Sequence, residues 1–252
     1  MIGASPFARG VRPALPSAML LLALLAACAV RLGGPSPEPY RVLAVPAAAD
    51  ESPGAVAERI RSEEAELVLV SAERDSAWFS ELASAVGLGL SGPGRTGPRG
   101  MAFLTGLELL GDTSIILQLE SGERIHMHDA LYQIGEDRQL DLMMVDFDAV
   151  TNLREGVRTL LMYIATDVGN NVPLVMGVSA ATTAADDSVA VLLRAAFASA
   201  SDCAEAGSDG GNNGPAVDGL QLLYGPPARM QCESARALPG DSGISARLIV
   251  GR

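Results

Sequence analysis

The chain has 252 residues, of which 48 % are hydrophobic and 19 % are charged, a composition typical of a globular protein with a sizeable core. Its net charge is −12 and its strongly basic residues are all arginine, so general attraction to nucleic-acid phosphates is opposed and a nucleic-acid partner is not expected. The chain has only two histidines, His126 and His128, which are two residues apart. This small number excludes most Ser-His-Asp, Cys-His and multi-histidine metal sites.

The N-terminal region has the pattern of a bacterial lipoprotein signal. Arg9 and Arg12 precede an apolar run over residues 18–30, which is too short for a spanning helix but suits a signal-peptide core. Within it, Leu25-Ala26-Ala27-Cys28 resembles the lipobox, so residues 1–27 are predicted to be a signal peptide and Cys28 a lipidated residue. The protein is then expected outside the cytoplasm, anchored to a bacterial membrane. An ordinary cleaved signal and an uncleaved anchor remain alternatives.

If Cys28 is lipidated, two cysteines remain for an oxidising compartment. Cys203 and Cys232 are predicted either to form a disulfide or to stay as two separate buried thiols. Their spacing does not indicate a metal site.

Residues 28–39 read as a stiff tether rich in proline and glycine, and residues 40–252 as the folded domain. The domain begins with a predicted strand at 40–45, a helix that Ser52 and Pro53 open, and a buried strand at 66–71. This order is one layered α/β unit.

The rest of the chain alternates between strand and helix patterns. A short helix at 78–86 is followed by a Gly/Pro-rich loop at 87–100, which holds Arg95 and Arg99. Further helices are predicted near 153–164 and 187–199. The remaining predicted strands are 101–105, 113–119, 124–134, 140–145, 173–176, 219–224, 229–232 and 246–250. Many strands with few helices favour two sheets packed face to face and covered by helices.

Several segments of the domain resemble, in order and spacing, the strand-end motifs of the endonuclease/exonuclease/phosphatase superfamily. They are residues 41–45, 66–73, 100–105, 143–148, 173–180, 217–220 and 240–242, so the resemblance covers nearly all of the mature chain. It implies an α/β fold, namely a four-layer α/β sandwich of two packed mixed β-sheets flanked by helices. It also implies phosphoester hydrolysis that depends on Mg²⁺ or Mn²⁺.

The departures from the family pattern fall on its reactive groups. The resemblance places Pro46 where the family has an asparagine, Phe147 at its central histidine, and Ser242 at its final histidine. Val178 and Ala180 take the places of the aspartate and asparagine of its "G-D-x-N" motif. A lost general acid or base typically costs about 10²–10⁴ in rate, so a pseudoenzyme with a binding or scaffold role is predicted, with no cofactor and an unknown ligand or protein partner.

The residues that keep the family's identities define the alternative. By resemblance, Glu73 would be a metal ligand and Asp218 and Asp241 would be catalytic in a divergent Mg²⁺- or Mn²⁺-dependent phosphodiesterase or nuclease, with Asp146 or Asp148 assisting. Each is also explained without catalysis, Glu73 as a solvated strand end and Asp241 as a turn residue. Arg95 and Arg99 could meet an anionic ligand at the same end.

A third alternative rests on the segment His126-Met127-His128-Asp129. On a strand, both imidazoles would point to one face and could offer two nitrogens to Zn²⁺ or Cu²⁺, while Asp129 would face the other way. The chain would then be an extracytoplasmic metal-binding lipoprotein. The competing interpretation is a polar, solvated sheet face.

Overall fold

The structure is a computed structural model that describes residues 38–94, 99–168, 172–179, 192–193, 195–200, 203, 220–239 and 243–251. Within these ranges, no helix has both the length and the hydropathy needed to cross a membrane. The predicted signal peptide, most of the tether and nearly half of the helix predicted at 187–199 lie outside the described residues. The end of that predicted helix is wrong, because Ala198–Ser199 is a strand that pairs with a neighbouring strand.

The described part of the domain contains two six-stranded mixed sheets, which confirms the predicted architecture. Sheet 1 has the order β11 (Met230–Ala237), β12 (Ile244–Val250), β1 (Glu38–Ala47), β2 (Leu67–Ala72), β4 (Gly100–Thr105), β3 (Gly89–Gly94). Sheet 2 has the order β5 (Glu108–Gln118), β6 (Arg124–Gln133), β7 (Gln139–Asp146), β8 (Leu174–Ser179), β10 (Leu220–Gly225), β9 (Ala198–Ser199). Strands β1 and β2 are parallel, as are β7 and β8, and the other paired strands are antiparallel.

Among the residues that the structure describes, three capped helices accompany the sheets, and a π-helical turn (Ile164–Val168) extends the last of them. The helices are α1 (Pro53–Ser62), α2 (Ser76–Val86) and α3 (Leu153–Tyr163). The side chains of Ser52, Asp75 and Asn152 each accept a hydrogen bond from a backbone N–H of the first turn, which satisfies donors that the helix leaves open. Helices α1 and α3 are the crossovers that parallel strand pairs require.

Buried side chains form three separate cores, which correspond to the three gaps between four layers. One core lies between the two sheets, a second lies between sheet 1 and helices α1 and α2, and the third lies between sheet 2 and α3. Alternation along β7 shows the division clearly. Leu142 and Met144 belong to the inter-sheet core, whereas Met143 and Val145 belong to the outer core beneath α3.

Two local differences from the sequence prediction concern the sheet edges. The segment predicted as a loop at 87–100 contains β3, which pairs with β4 at the edge of sheet 1. An edge strand tolerates Pro93, which has no backbone N–H, because such a strand is paired on one side only. Here the pairing is also irregular between Ser91 and Gly94. Strand β11 is longer than predicted because it pairs along most of β12 through a bulge between Cys232 and Ser234.

Cys203 and Cys232 form a disulfide in the structure. Of the two alternatives that the sequence left open for this pair, this is the cross-linked one. It ties the segment before β10 to β11, across a sequence separation of 29 residues.

Candidate functional site

The ends of β1 and β2 place two residues side by side on the inter-sheet face. Pro46 and Ser71 are in register, and the residues two positions earlier, Ala44 and Leu69, belong to the inter-sheet core. Because side chains alternate along a strand, Pro46 and Ser71 face the cleft between the sheets. The Ser71 hydroxyl is buried and has no hydrogen-bond partner within the described part of the chain.

On the opposite sheet, Asp146 occupies the matching strand end. It is 2 % exposed, and its register partners are His126 on β6 and Ser179 on β8. Its Oδ1 accepts the backbone N–H of Asp148 at 2.9 Å, whereas Oδ2 is buried without a described partner. Burial raises the pKa of Asp146, and the charge of Asp148 adds to the rise, while Arg99 and His126 oppose it.

An ion pair links the two sheets at this end. Arg99, immediately before β4, donates from Nε to Asp148 Oδ2 at 2.6 Å, and both side chains are partly exposed. A charge-assisted contact of this length is among the stronger polar interactions in proteins. The structure therefore brings together Arg99, His126, Asp146 and Asp148, which the sequence analysis considered separately.

Phe147 and Val178 do not face this cluster, which corrects the placement taken from the family motifs. Both are buried in the outer core between sheet 2 and α3. The cleft-facing residues at these two strand ends are instead Asp146 and Ser179, each one position away. The reason is the two-residue period of a strand, since a shift of one position moves a side chain to the other face.

Glu73 is exposed and lies just beyond the end of β2, whereas Ser71 is the buried polar residue of that strand. No group of three or more His, Cys, Asp or Glu side chains suited to a metal ion occurs among the residues that the structure covers. Asp218 and Asp241 lie outside the described residues. The same holds for Arg95, Ala180, Ser242 and Cys28.

The described donors at the cleft do not fit Mg²⁺ or Mn²⁺. A hard divalent cation needs several charged or carbonyl oxygens that are free to bind it. Here, Asp148 is engaged by Arg99, and Asp146 is buried with a raised pKa, which favours its neutral form. The other cleft-facing oxygens described at the strand ends are the hydroxyls of Ser71 and Ser179.

His126 and His128 point to one face, as the strand pattern predicts, but their surroundings differ. His126 is opposite Asp146, whereas His128 stacks on Phe103 with ring centroids 5.3 Å apart. Asp129 faces the other side, where the Tyr163 hydroxyl is 3.5 Å from its Oδ2. The metal pair of the third alternative stays a prediction. The solvated sheet face is wrong for His128, which is 2 % exposed.

Ser71 and Ser179 are the cleft-facing residues that the sequence reasoning missed. Strands β2 and β8 are buried along their whole length, so the alternation of polar and apolar residues that usually marks the two faces is lost. The sequence signal that could have identified them is that each is the polar residue nearest the end of an otherwise apolar strand.

Among solved structures, the chain is similar to an endonuclease/exonuclease/phosphatase from Bacteroides vulgatus, with 15 % identity and a TM-score of 0.66 over 84 % of this chain and 99 % of that one. It is similar to D. rerio TDP2 complexed with a single-stranded DNA product, with 12 % identity and a TM-score of 0.59 over 84 % and 99 %. A mannosyl-6-phosphatase from Bacteroides thetaiotaomicron gives 8 % identity and a TM-score of 0.63 over 84 % and 100 %. No family model matches the chain, and no curated protein sequence does.

Proposed function

We propose that this domain, which has the endonuclease/exonuclease/phosphatase fold, is a pseudoenzyme whose former phosphoesterase cleft serves a binding or scaffold role. The observation that carries the proposal is the set of cleft-facing strand ends. Pro46, Ser71, Asp146 and Ser179 stand there, and the adjacent Asp148 is paired with Arg99.

The rates at stake support this proposal. Removing one general acid or base typically costs about 10²–10⁴ in rate, and removing one charge-stabilising donor costs about 10²–10³. At two of the cleft-facing strand ends stand Asp146, whose pKa is raised by burial, and Pro46, which has no polar side chain. Although losses of this kind do not add cleanly, their combination leaves little for a metal-dependent reaction to use.

The charges at the cleft indicate what it would bind. Two of the similar structures involve phosphate, namely TDP2 with a single-stranded DNA product and a mannosyl-6-phosphatase. In this chain, the carboxylate of Asp148 opposes a phosphate, Asp146 with its raised pKa supplies no positive charge, and Arg99 is already paired with Asp148. The cleft therefore favours an uncharged polar ligand or a protein segment, and nucleic acid is a poor candidate for a chain of net charge −12.

Turnover of bis(p-nitrophenyl) phosphate and p-nitrophenyl phosphate by the full-length protein, with Mg²⁺ or Mn²⁺, tests the proposal. We expect no release of nitrophenol above the metal-only background. Turnover that is lost in Glu73→Gln, Asp218→Asn or Asp241→Asn would contradict the pseudoenzyme and establish the divergent phosphodiesterase. Asp137→Asn, an exposed turn residue, is the matched control for a lost charge.

We also propose that Cys28 carries the lipid that holds the domain at the outer face of a bacterial membrane. The lipobox-like residues before Cys28 support this, as does the start of β1 at Glu38, a short distance further on. Expressed in a bacterium, the wild-type protein should fractionate with membranes, and Cys28→Ala should appear uncleaved or in the soluble fraction. Equal membrane retention of a processed Cys28→Ala protein would contradict lipid anchoring.

A further inference from the structure

A second group of chemically competent side chains lies at the open edge of the sandwich, where β3 faces β5. Ser114 on β5 is opposite His128 on β6, and its hydroxyl lies 3.2 Å from His128 Nδ1. On the other side of the ring, Asp112 Oδ2 lies 3.8 Å from His128 Nε2. The imidazole of His128 thus lies between a serine hydroxyl and an aspartate carboxylate. The small number of histidines in the sequence made such an arrangement unexpected.

The histidine of this group is held in one orientation. His128 is 2 % exposed, and its ring stacks on Phe103 with an interplanar angle of 26°. Burial lowers the pKa of His128, against the opposing charges of Asp112 and Asp129, so the neutral ring that a general base requires is favoured. Nε2 has no hydrogen-bond partner among the described residues, and the carboxylate of Asp112 is the acceptor nearest to it in the group.

Gly92 on β3 makes room for this arrangement. Its backbone N–H donates to Asp112 Oδ2 at 3.1 Å, which fixes the carboxylate beside the ring. Its φ is +71°, and a Cβ at this position would lie 2.6 Å from His128 Nε2. A glycine is therefore required here both by backbone conformation and by the space that the imidazole takes.

The hydroxyl of this group is accessible. Ser114 is exposed, and it lines a cavity of about 360 Å³ together with Leu90, Ser91 and Gly92. This volume lies at the lower end of the range for small-molecule sites. Asp112 and the negative charge of the chain disfavour an anionic substrate, so the cavity suits a small, neutral ligand.

From this geometry, we propose that Ser114, His128 and Asp112 form a nucleophilic site for small neutral esters, separate from the phosphoesterase cleft. With the ring proton on Nε2 facing Asp112, Nδ1 can accept the Ser114 proton. Ser114 and His128 are the catalytic residues, and Asp112 is a positioning residue that acts through the imidazole.

The reaction requires only the ester and water. Ser114 Oγ forms a bond to the carbonyl carbon while Nδ1 takes its proton. The bond to the leaving alcohol then breaks, and the alcohol takes the proton from Nδ1. Water attacks the acyl-serine, gives its proton through Nδ1 to Ser114 Oγ, and releases the carboxylic acid.

Labelling of the full-length protein by a neutral fluorophosphonate tests the site, with the modified peptide identified by mass spectrometry and p-nitrophenyl acetate hydrolysis followed in parallel. We expect one label per chain at Ser114, and its complete loss in Ser114→Ala. Ser84→Ala is the matched control, because Ser84 is also exposed and its hydroxyl donates to a helix carbonyl rather than contacting a histidine. Labelling spread over several serines, or unchanged in Ser114→Ala, would overturn the proposal.

Substitution of Asp112 is the second test of the site. Asp112 is exposed, so its replacement should leave the fold intact. Asp112→Asn should lower the labelling rate at Ser114 at least tenfold, and Asp112→Glu should restore part of it. Glu108→Gln, the same loss of charge at an exposed position of the same strand, should change the rate less than twofold. Equal rates in wild type and Asp112→Asn would show that Ser114, His128 and Asp112 only join the strands.

Discussion

The two faces of sheet 2 carry buried aspartates in opposite electrostatic circumstances. On the cleft face, Asp146 has the Asp148 N–H as a donor and feels the charges of Arg99 and His126. On the outer face, Asp141 lies beside Asp129, and no cationic side chain among the described residues is paired with either of them. Burial and the hydrogen bond and charge of Asp129 raise the pKa of Asp141 to about 9. Burial thus raises the pKa of an aspartate on both faces. On the cleft face, the Asp148 N–H and the charges of Arg99 and His126 oppose the rise, whereas on the outer face Asp129 adds to it.

This difference bears on our proposal that the domain keeps the fold without the metal-dependent reaction. The outer face stabilises the layer between sheet 2 and α3, where Phe147 and Val178 are packed. The cleft face keeps polar strand ends, but neither aspartate there is a free carboxylate that would attract a metal ion. Asp148 is paired with Arg99, and burial raises the pKa of Asp146. Substitutions on each face should therefore have different signs and sizes.

The largest expected effect comes from placing the same polar residue on the two faces. Val178→Asn buries an amide in the outer core and removes a packed side chain, so we expect a loss of about 3 kcal/mol in the free energy of unfolding. Ser179→Asn, one residue further on, enlarges a buried side chain that is already polar and faces the cleft, and we expect a smaller loss of about 1–2 kcal/mol. Chemical denaturation measures both, and equal losses would contradict the assignment of the two faces.

Replacing Asp141 tests whether its carboxyl group, on the outer face, is protonated in the folded protein. Because its folded pKa is about 9 and its ordinary value is 3.8, the folded state holds more protons than the unfolded state between about pH 4 and pH 9. The wild-type protein should therefore lose stability as the pH rises through this window. Asp141→Asn should be more stable than wild type by about 2 kcal/mol at pH 8 and should show a shallower pH dependence.

The measurement is the unfolding midpoint in denaturant at pH 5 and pH 8, with Asp137→Asn as the control. Asp137 is exposed, so its replacement should leave the pH dependence as it is in wild type. A pH dependence of Asp141→Asn as steep as that of wild type would show that Asp141 is already ionised in the folded protein.

Removing the positive charge from the cleft face should have a smaller effect of opposite sign. Arg99→Gln leaves Asp148 without its ion-pair partner, and we expect a loss of about 1 kcal/mol, since both side chains are partly exposed and solvent screens part of the interaction. Arg247→Gln is the control, because its pair with Glu233 is more exposed and should contribute less than about 0.5 kcal/mol. Equal changes in thermal denaturation would mean that Arg99 does not hold the two sheets together.

Much of the architecture could be predicted from the sequence because its signals are local. Ser52 and Pro53 open α1 as predicted, and the order of strands and turns indicated two packed sheets. The faces of β8 could not be predicted, because a strand that is buried on both sides has no polar alternation to fix its orientation.

The arrangement around His128 depended on strand register. A turn at Ser121 and Gly122 joins β5 to β6, and residues of this kind are a recognisable turn signal in a sequence. An error of one residue in the register of such a hairpin reverses every side chain, so the turn alone could not place Ser114 beside His128. The bulge between Leu109 and Gly111 further shifts the pairing near Asp112.

The most direct test of the central claim is calorimetric titration of the full-length protein with Mn²⁺. The titration is repeated with Asp141→Asn so that binding at the outer face can be recognised. We predict no saturable binding at the cleft up to about 1 mM, because its described carboxylates are compensated by Arg99 and by burial. One-to-one binding that persists in Asp141→Asn and disappears in Glu73→Gln, Asp218→Asn or Asp241→Asn would contradict the account.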